Sequence, residues 1–239
     1  MNPPPWRRGE IVRIKEEAPH TRRFWIKIPE LESFQFQPGQ HITLELPIDE
    51  KQSKRIRSYS IASWPNNSNI FELIIVHNQD IVASEYLFKT IQEGDEIRVR
   101  GPQGRFLLPH VLDKDIFFIC TGTGIAPFRS MLHHIVENNL AHKNIYLIFG
   151  TRTTKDLLFH DEFLKLAETL PQFHYMPVLS REEWAGETGY VHEIYKRMAS
   201  TKKPAYFYLC GWKQMIEEAK QHILEIGYDQ KDIHHEMYG

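Results

Sequence analysis

The stretch Ile116-Phe117-Phe118-Ile119-Cys120-Thr121-Gly122-Thr123-Gly124-Ile125-Ala126-Pro127-Phe128 decides how the second half of this chain folds. An apolar run reads as a buried strand, and it meets a glycine turn. Pro127 then opens a helix with Phe128, Met131, Leu132 and Ile135 on one face. That order gathers free backbone N–H groups at the positive end of a helix, where a dinucleotide phosphate can approach Gly122-Thr123-Gly124. The turn departs from the ordinary dinucleotide fingerprint. Pro127 stands where a third glycine would be, and the next strand ends in Gly150-Thr151-Arg152 with no acid.

The same alternation continues downstream, with strands at 145–149, 175–179 and 205–210 and helices at 161–170 and 213–224. It implies a parallel sheet covered by helices, with ligands at the carboxyl ends of the strands. Upstream the texture differs. Segments 24–28 and 41–46 alternate with the period of half-buried strands, broken by Pro38-Gly39, Pro47 and Pro65-Asn66-Asn67, and further strands are expected at 71–76 and 96–100 around a helix at 84–92. That is the pattern of an antiparallel barrel or sandwich. The junction falls at 107–114, which gives domains at 1–108 and 109–239.

Lys plus Arg (29) nearly balances Asp plus Glu (31), so nucleic acid and anionic membrane are not indicated as the main partner. The N-terminus, Met1-Asn2-Pro3-Pro4-Pro5-Trp6-Arg7-Arg8, lacks a secretory apolar stretch, and no segment approaches the roughly 18–20 apolar residues of a spanning helix. A cytoplasmic protein with no integral membrane segment is expected. Cys120 and Cys210 each end an apolar run and read as buried thiols. Two cysteines fall short of the four thiolates of a cysteine-ligated iron–sulfur cluster, so any cluster is expected on another chain. The adjacent His234 and His235 read as solvated, and no metal site is expected.

In Arg57-Ser58-Tyr59-Ser60-Ile61-Ala62, strand alternation puts Arg57 and Tyr59 on one side. A guanidinium there can clamp a phosphate while the tyrosine ring covers a flavin; an ordinary exposed strand has the same pattern. Gly101-Pro102-Gln103-Gly104-Arg105-Phe106 reads as a turn. Val82-Ala83-Ser84 opens a helical stretch whose amides and Ser84 hydroxyl suit a pyrophosphate, or Ser84 is a plain N-cap. After the next strand, Leu179-Ser180-Arg181 supplies a hydroxyl and a guanidinium, which suit the 2′-phosphate of NADP better than the free ribose of NAD, although Glu182 and Glu183 follow.

Together, Arg57-Ser58-Tyr59-Ser60, Gly101-Pro102-Gln103-Gly104-Arg105-Phe106, Gly122-Thr123-Gly124-Ile125-Ala126-Pro127, Phe149-Gly150-Thr151-Arg152, Gly189-Tyr190-Val191 and Cys210-Gly211 resemble the ferredoxin–NADP reductase superfamily across nearly the whole chain. The resemblance implies an N-terminal antiparallel six-stranded flavin-binding β-barrel and a C-terminal parallel-sheet, Rossmann-like nucleotide domain, without a fused iron–sulfur domain. It implies FAD, with FMN open because both share the isoalloxazine and first phosphate. By the resemblance, Arg57 binds the flavin phosphate, Tyr59 stacks on the isoalloxazine and Ser60 lies near flavin N5, flanked by Ser58 and Ile61. Val82, Ala83 and Ser84 would meet the pyrophosphate, with Ser84 as the helix cap and Val82 in place of the family's usual glycine. Thr121, Gly122, Thr123, Gly124, Pro127, Arg152, Ser180, Arg181, Cys210 and Gly211 would hold the nucleotide, with Cys210 touching the nicotinamide.

His234-His235-Glu236-Met237-Tyr238 resembles the ending of plant-type reductases, which makes Glu236 a catalytic-site residue and Tyr238 a lid over the flavin, here followed by Gly239; an exposed tail is the other reading. The implied activity is that of an NAD(P)H-dependent flavoprotein reductase. Hydride passes from NADPH, favoured over NADH, to FAD N5, and single electrons then pass to a separate carrier such as ferredoxin, flavodoxin or an oxygenase component. Arg7, Arg8, Lys51, Lys54 and Arg55 are candidates for a basic patch toward such a protein. Two alternatives stand beside this: reduction of a small diffusible acceptor such as free flavin or a ferric chelate, and a redox-sensing subunit without turnover.

Overall fold

The computed structural model describes residues 3–238. Alternating apolar residues in the first half give β1 (Trp6–Ala18), β2 (Thr21–Lys27), β3 (His41–Glu45), the single-turn α1 (Gln52–Arg55), β4 (Ile56–Ser60), β5 (Ile70–Val76), α2 (Val82–Lys89) and β6 (Glu96–Gln103). The strands form one antiparallel sheet in the order β4-β3-β6-β1-β2-β5. Its inner face is a core that includes Ile11, Phe24, Ile26, Ile42, Leu44, Phe71, Leu73, Ile97 and Val99. Just past β4, the Ala62 N–H donates to the Glu72 carbonyl of β5 at 2.8 Å, which brings the two edge strands together and curls the sheet into the expected barrel.

The second half forms β7 (Asp115–Thr121), a tight turn at Gly122–Ile125, α3 (Ala126–Glu137), β8 (Ile145–Thr151), α4 (His160–Thr169), β9 (Phe173–Leu179), β10 (Glu187–Thr188), α5 (Val191–Ala199), β11 (Ala205–Trp212), α6 (Lys213–Ile226) and β12 (Ile233–Tyr238). These strands are all parallel, in the order β10-β9-β8-β7-β11-β12. Residues Asp115 to Cys120 of the central β7 are buried without interruption, because both faces of a parallel sheet are covered. Phe118, Phe128 and Phe149 are fully buried, and each burial stabilises the fold by about 1.5–3 kcal/mol.

By contact, the chain divides into two compact units: residues up to Leu107 together with Arg129–His134, and Leu108–Phe128 together with the chain from Ile135 onward. Five elements escaped the sequence pattern, two of them the short α1 and β10. β1 carries bulges between Ile11 and Arg13 and between Glu16 and Ala18, each of which resets the in–out alternation. The apolar positions of α5, Val191, Ile194 and Tyr195, are interrupted by charged residues. The segment His234 to Tyr238 is not a loose tail: it pairs in register with β11 from Phe207 to Trp212 as part of edge strand β12.

Between α5 and α6 the Tyr195 hydroxyl lies 2.8 Å from His192 Nδ1 and 3.0 Å from His222 Nδ1. His192 Nε2 lies 3.0 Å from Glu218 Oε2. A neutral His192 donates from Nε2 to the carboxylate, so its Nδ1 accepts from Tyr195, whose oxygen in turn accepts from His222. Burial holds His192 below the usual histidine range, against the pull of the Glu218 charge; His222 and Lys196 act with the burial. The unfolded chain takes up this proton below about pH 6.5 while the folded one resists, so stability falls with pH through that range. Thermal midpoints measured from about pH 8 down to about pH 5 should fall less steeply for His192→Gln than for the parent; parallel curves would remove His192 from the acid limb.

Candidate functional site

The strand order reverses direction between β7 and β11, and this switch point is where open parallel sheets bind ligands. Cys120 and Cys210 are register partners there, and Thr121 and Gly211 follow them at the carboxyl ends. A Cβ on Gly124 would collide with the carbonyl of Cys210, and one on Gly211, at φ +141°, would collide with Thr121 Oγ1. The glycine turn therefore lies directly on the end of β11. A Cβ on Gly122 would meet open space, so the turn's other side is clear. A shielded inner side, an open outer side and the N-terminus of α3 together suit a dinucleotide phosphate. Pro127 is the second residue of α3, and Thr123 lies in the turn.

At the ends of β8 and β9, the N–H groups of Ser180 and Arg181 donate to the carbonyls of Thr151 and Arg152, each at 3.0 Å. Arg152 and Arg181 are thereby adjacent in main chain, both exposed, and among the described residues neither has a carboxylate partner. Glu182 is turned away: it accepts from the Thr154 N–H and hydroxyl, each at 2.9 Å. The Ser180 hydroxyl donates to the Thr151 carbonyl at 3.2 Å, which leaves its oxygen as an acceptor.

Cys210 pairs in register with Glu236, and Trp212 with Tyr238. Burial pushes the Cys210 thiol well above the usual range; a hydrogen bond from Tyr238 opposes this and the Glu236 charge adds to it. Burial, then the Cys210 neighbour, does the same to Cys120. Both are free, neutral thiols, unsuited to nucleophilic attack. Gly239 lies outside the described residues.

In the barrel, Arg57 and Tyr59 do share a face, opposite Leu44 and Ile42 across the β3 ladder. The Arg57 guanidinium donates to the carbonyls of Lys54 at 2.9 Å and Ile56 at 2.7 Å. Burial pushes the Tyr59 phenol up to about 12, with the Arg57 charge pulling the other way. Ser58 points to the opposite face toward Thr43, while Ser60 and Ile61 are buried and the Ile61 N–H donates to the Gln40 carbonyl at 3.0 Å. Because β4 is an edge strand, its outer main-chain groups face away from the ladder. A guanidinium, a half-buried aromatic ring and an open strand edge are the donor set that a phosphorylated flavin requires.

Ser84 does not cap α2. The N-cap is Ile81, and the buried Ser84 hydroxyl accepts from the Asn78 N–H at 2.7 Å and donates to the Val76 carbonyl at 3.2 Å. Its side chain is spent inside the barrel unit, because a third-position serine points back at the loop it closes. Val82 is 61% exposed and Ala83 is buried, so only the first-turn amides remain for a phosphate. The basic residues near the N-terminus are largely neutralised: Arg7 lies 3.6 Å from Glu30, Arg8 3.3 Å from Glu96 and Lys54 3.4 Å from Asp49. Sequence reasoning missed Arg129, buried in an otherwise apolar helix start, and that charge among apolar neighbours was the available signal. Among the described residues no group of histidine, cysteine and carboxylate side chains could hold a metal ion, and no helix is long and apolar enough to cross a membrane.

Residues 8–107 match an oxidoreductase FAD-binding domain and residues 118–221 an oxidoreductase NAD-binding domain. The chain is 31% identical to ferredoxin–NADP reductase B of Sorangium cellulosum over 96% of each chain. It is 33% identical to the anthranilate 1,2-dioxygenase electron transfer component of Acinetobacter baylyi over 77% of this chain and 53% of that protein. Thus it spans nearly all of the first relative and about half of the second. A ferredoxin NADP+ reductase from Neisseria gonorrhoeae, solved with FAD and NADP, superposes with a TM-score of 0.81 at 27% identity, covering 97% of this chain and 98% of that one.

Gly124→Ala should lower the free energy of unfolding in urea by about 1–3 kcal/mol, since the main chain of β11 cannot yield as a side chain does. Unchanged stability would mean that the turn does not press on β11 as described.

Proposed function

The chain belongs to the ferredoxin–NADP reductase superfamily, and from that membership we propose an NADPH-preferring reductase that serves a separate one-electron carrier protein. It is an NAD(P)H-dependent flavoprotein oxidoreductase with FAD-binding and NAD-binding domains, which we assign to residues 1–108 and 109–239. The observation that carries the nucleotide preference is the pair of exposed guanidiniums, Arg152 and Arg181, with Glu182 diverted to Thr154. A ribose diol is recognised by a carboxylate, whereas a 2′-phosphate calls for guanidinium forks. Names such as electron transfer component among the relatives support a redox protein as acceptor; a cytoplasmic location belongs to the same reading.

Bound FAD would accept one hydride and release its two electrons singly. The chain's own residues supply position. Arg57 would clamp the flavin phosphate, Tyr59 would cover one ring face, and Ser60, with Ser58 and Ile61 nearby along the strand end, would meet the hydrogen-bonding edge. The first-turn amides of Val82 and Ala83 would be the donors to the FAD pyrophosphate. On the nucleotide side, Thr121 to Gly124 and the start of α3 hold the pyrophosphate through N–H groups, and Gly211 admits it beside β11. Cys210 fills the floor as a neutral thiol, and Tyr238 and Glu236 stand beside it, with the Tyr238 ring as the lid that nicotinamide displaces. Placement of this kind is the main contribution a protein makes to hydride transfer.

Anaerobic titration of the flavin-loaded protein with NADPH and NADH in parallel tests the reading: bleaching of the flavin band, faster with NADPH, is expected. Flavin that neither nucleotide reduces would overturn it. Arg57→Ala should lose flavin on desalting, and full retention would remove the phosphate clamp. Arg181→Ala should raise KM for NADPH about 10- to 100-fold, the value of a hydrogen bond to a charged group, and leave KM for NADH nearly unchanged. Equal effects on both would refute the 2′-phosphate contact.

A further inference from the structure

Four charges run in a line along the first unit. Arg23 Nε lies 3.2 Å from Glu17 Oε2, Arg23 Nη1 lies 3.1 Å from Glu72 Oε2, and Arg129 Nη1 lies 3.0 Å from that same oxygen. The side chains are only 4% exposed at Arg129 and 16% at Glu72, so one carboxylate is held between two guanidiniums largely out of water. Buried ion pairs are weak stabilisers, because desolvation offsets most of their attraction. What they hold in place matters more.

Arg129 Nη1 also donates to the Ala62 carbonyl at 2.9 Å. The Ala62 N–H donates to the carbonyl of Glu72 at 2.8 Å, and the Glu72 N–H donates to Ser63 Oγ at 3.0 Å. Ala62 is thus gripped at both its polar groups by one closed circuit, in which Arg129 binds the side chain of the residue whose main chain binds Ala62. Beneath it the Trp64 ring stacks on His133 at 3.9 Å, with the Arg129 guanidinium 5.1 Å from the Trp64 centroid. The circuit closes two residues beyond Ser60.

We infer that Arg129 and Glu72 are positioning residues for Ser60: through Ala62 they fix the main chain from Ser60 to Ser63, so that the Ser60 hydroxyl and the end of β4 meet the flavin ring at one place. This rests on the flavin lying along Arg57 to Ser60. Neither residue touches the flavin; both act through the peptide of Ala62. The lysine or methionine that best matches arginine in length separates the charge from the bulk: Arg129→Lys keeps a donor for both oxygens, and Arg129→Met keeps only the packing on Trp64.

The test uses the full chain as purified. Arg129→Met should speed amide hydrogen exchange at Ala62 and lower turnover per bound flavin, each about 10- to 100-fold, with KM for the nucleotide unchanged; Arg129→Lys should restore most of both. Wild-type exchange and wild-type turnover per flavin in folded Arg129→Met would overturn the inference, as would a loss of turnover that merely follows a loss of bound flavin. Should Arg129→Met not fold, Glu72→Gln keeps the side-chain volume and must show the same faster exchange at Ala62, and unchanged exchange there overturns the inference equally. A parent protein that takes up no flavin would instead defeat the functional reading, and the exchange result would still decide whether Arg129 fixes Ala62.

Discussion

The approach of the Gly122–Ile125 turn to the end of β11 sets the limits for everything at the carboxyl edge of the parallel sheet. Two glycines face two main-chain or hydroxyl oxygens, Gly124 against Cys210 and Gly211 against Thr121, at separations that no side chain tolerates. Parallel strands of this sheet sit a fixed distance apart, so a loop that must cross from β7 toward α3 has only the space above β11. Packing it there shields one side of the turn, at Gly124, and leaves the space beside Gly122 open. The turn's suitability for a phosphate then rests on backbone placement, with no charged side chain within the turn itself.

The barrel meets a different problem. Its donor set lies on an edge strand, and edges are mobile and prone to misplaced pairing. β4 is held from behind by the β3 ladder and from its end by the Ala62–Glu72–Arg129 circuit. The ion pairing itself adds little stability, but replacing the charges by apolar side chains of equal volume would leave the Ala62 carbonyl unpaired in a dry place, at a cost of about 1–3 kcal/mol. A charged network is therefore a sensible answer to a demand for direction, which apolar packing meets poorly.

Much of this was legible in the residues, for identifiable reasons. The switch from a two-residue to a 3.6-residue period near residue 110 separates the two sheets, and the unbroken apolar run in β7 marks a strand covered on both faces. Arg57 and Tyr59 share a face because strand alternation is not disturbed between them. Where the pattern was disturbed, it misled: bulges hide β1, charged residues within the apolar stripe hide α5, and a short tail gives no hint that β11 offers it an open edge. Ser84 failed for a subtler reason. A serine near a helix start reads as a cap, yet the helix begins three residues earlier, with Ile81 as its N-cap, and the Ser84 hydroxyl turns inward to Val76 and Asn78. For Arg129 the one local signal is a charge among apolar neighbours, and its partners, 57 to 67 residues distant, leave no mark on the local pattern.

The thiol of Cys210 shows how the same residue type carries different chemistry in different surroundings. A cysteine activated for attack needs a nearby cation or helix N-terminus to favour its thiolate. Cys210 has the reverse: full burial and the Glu236 carboxylate charge disfavour ionisation, and the Tyr238 hydrogen bond opposes them. A neutral thiol is small, soft and without a competing charge, so it can lie against a nicotinamide ring without stabilising one redox state of it over the other. An ionised group at this point would favour the positively charged oxidised ring and hold back its release. On the function proposed above, keeping Cys210 uncharged is the electrostatic condition for a nucleotide site that has to let its product go.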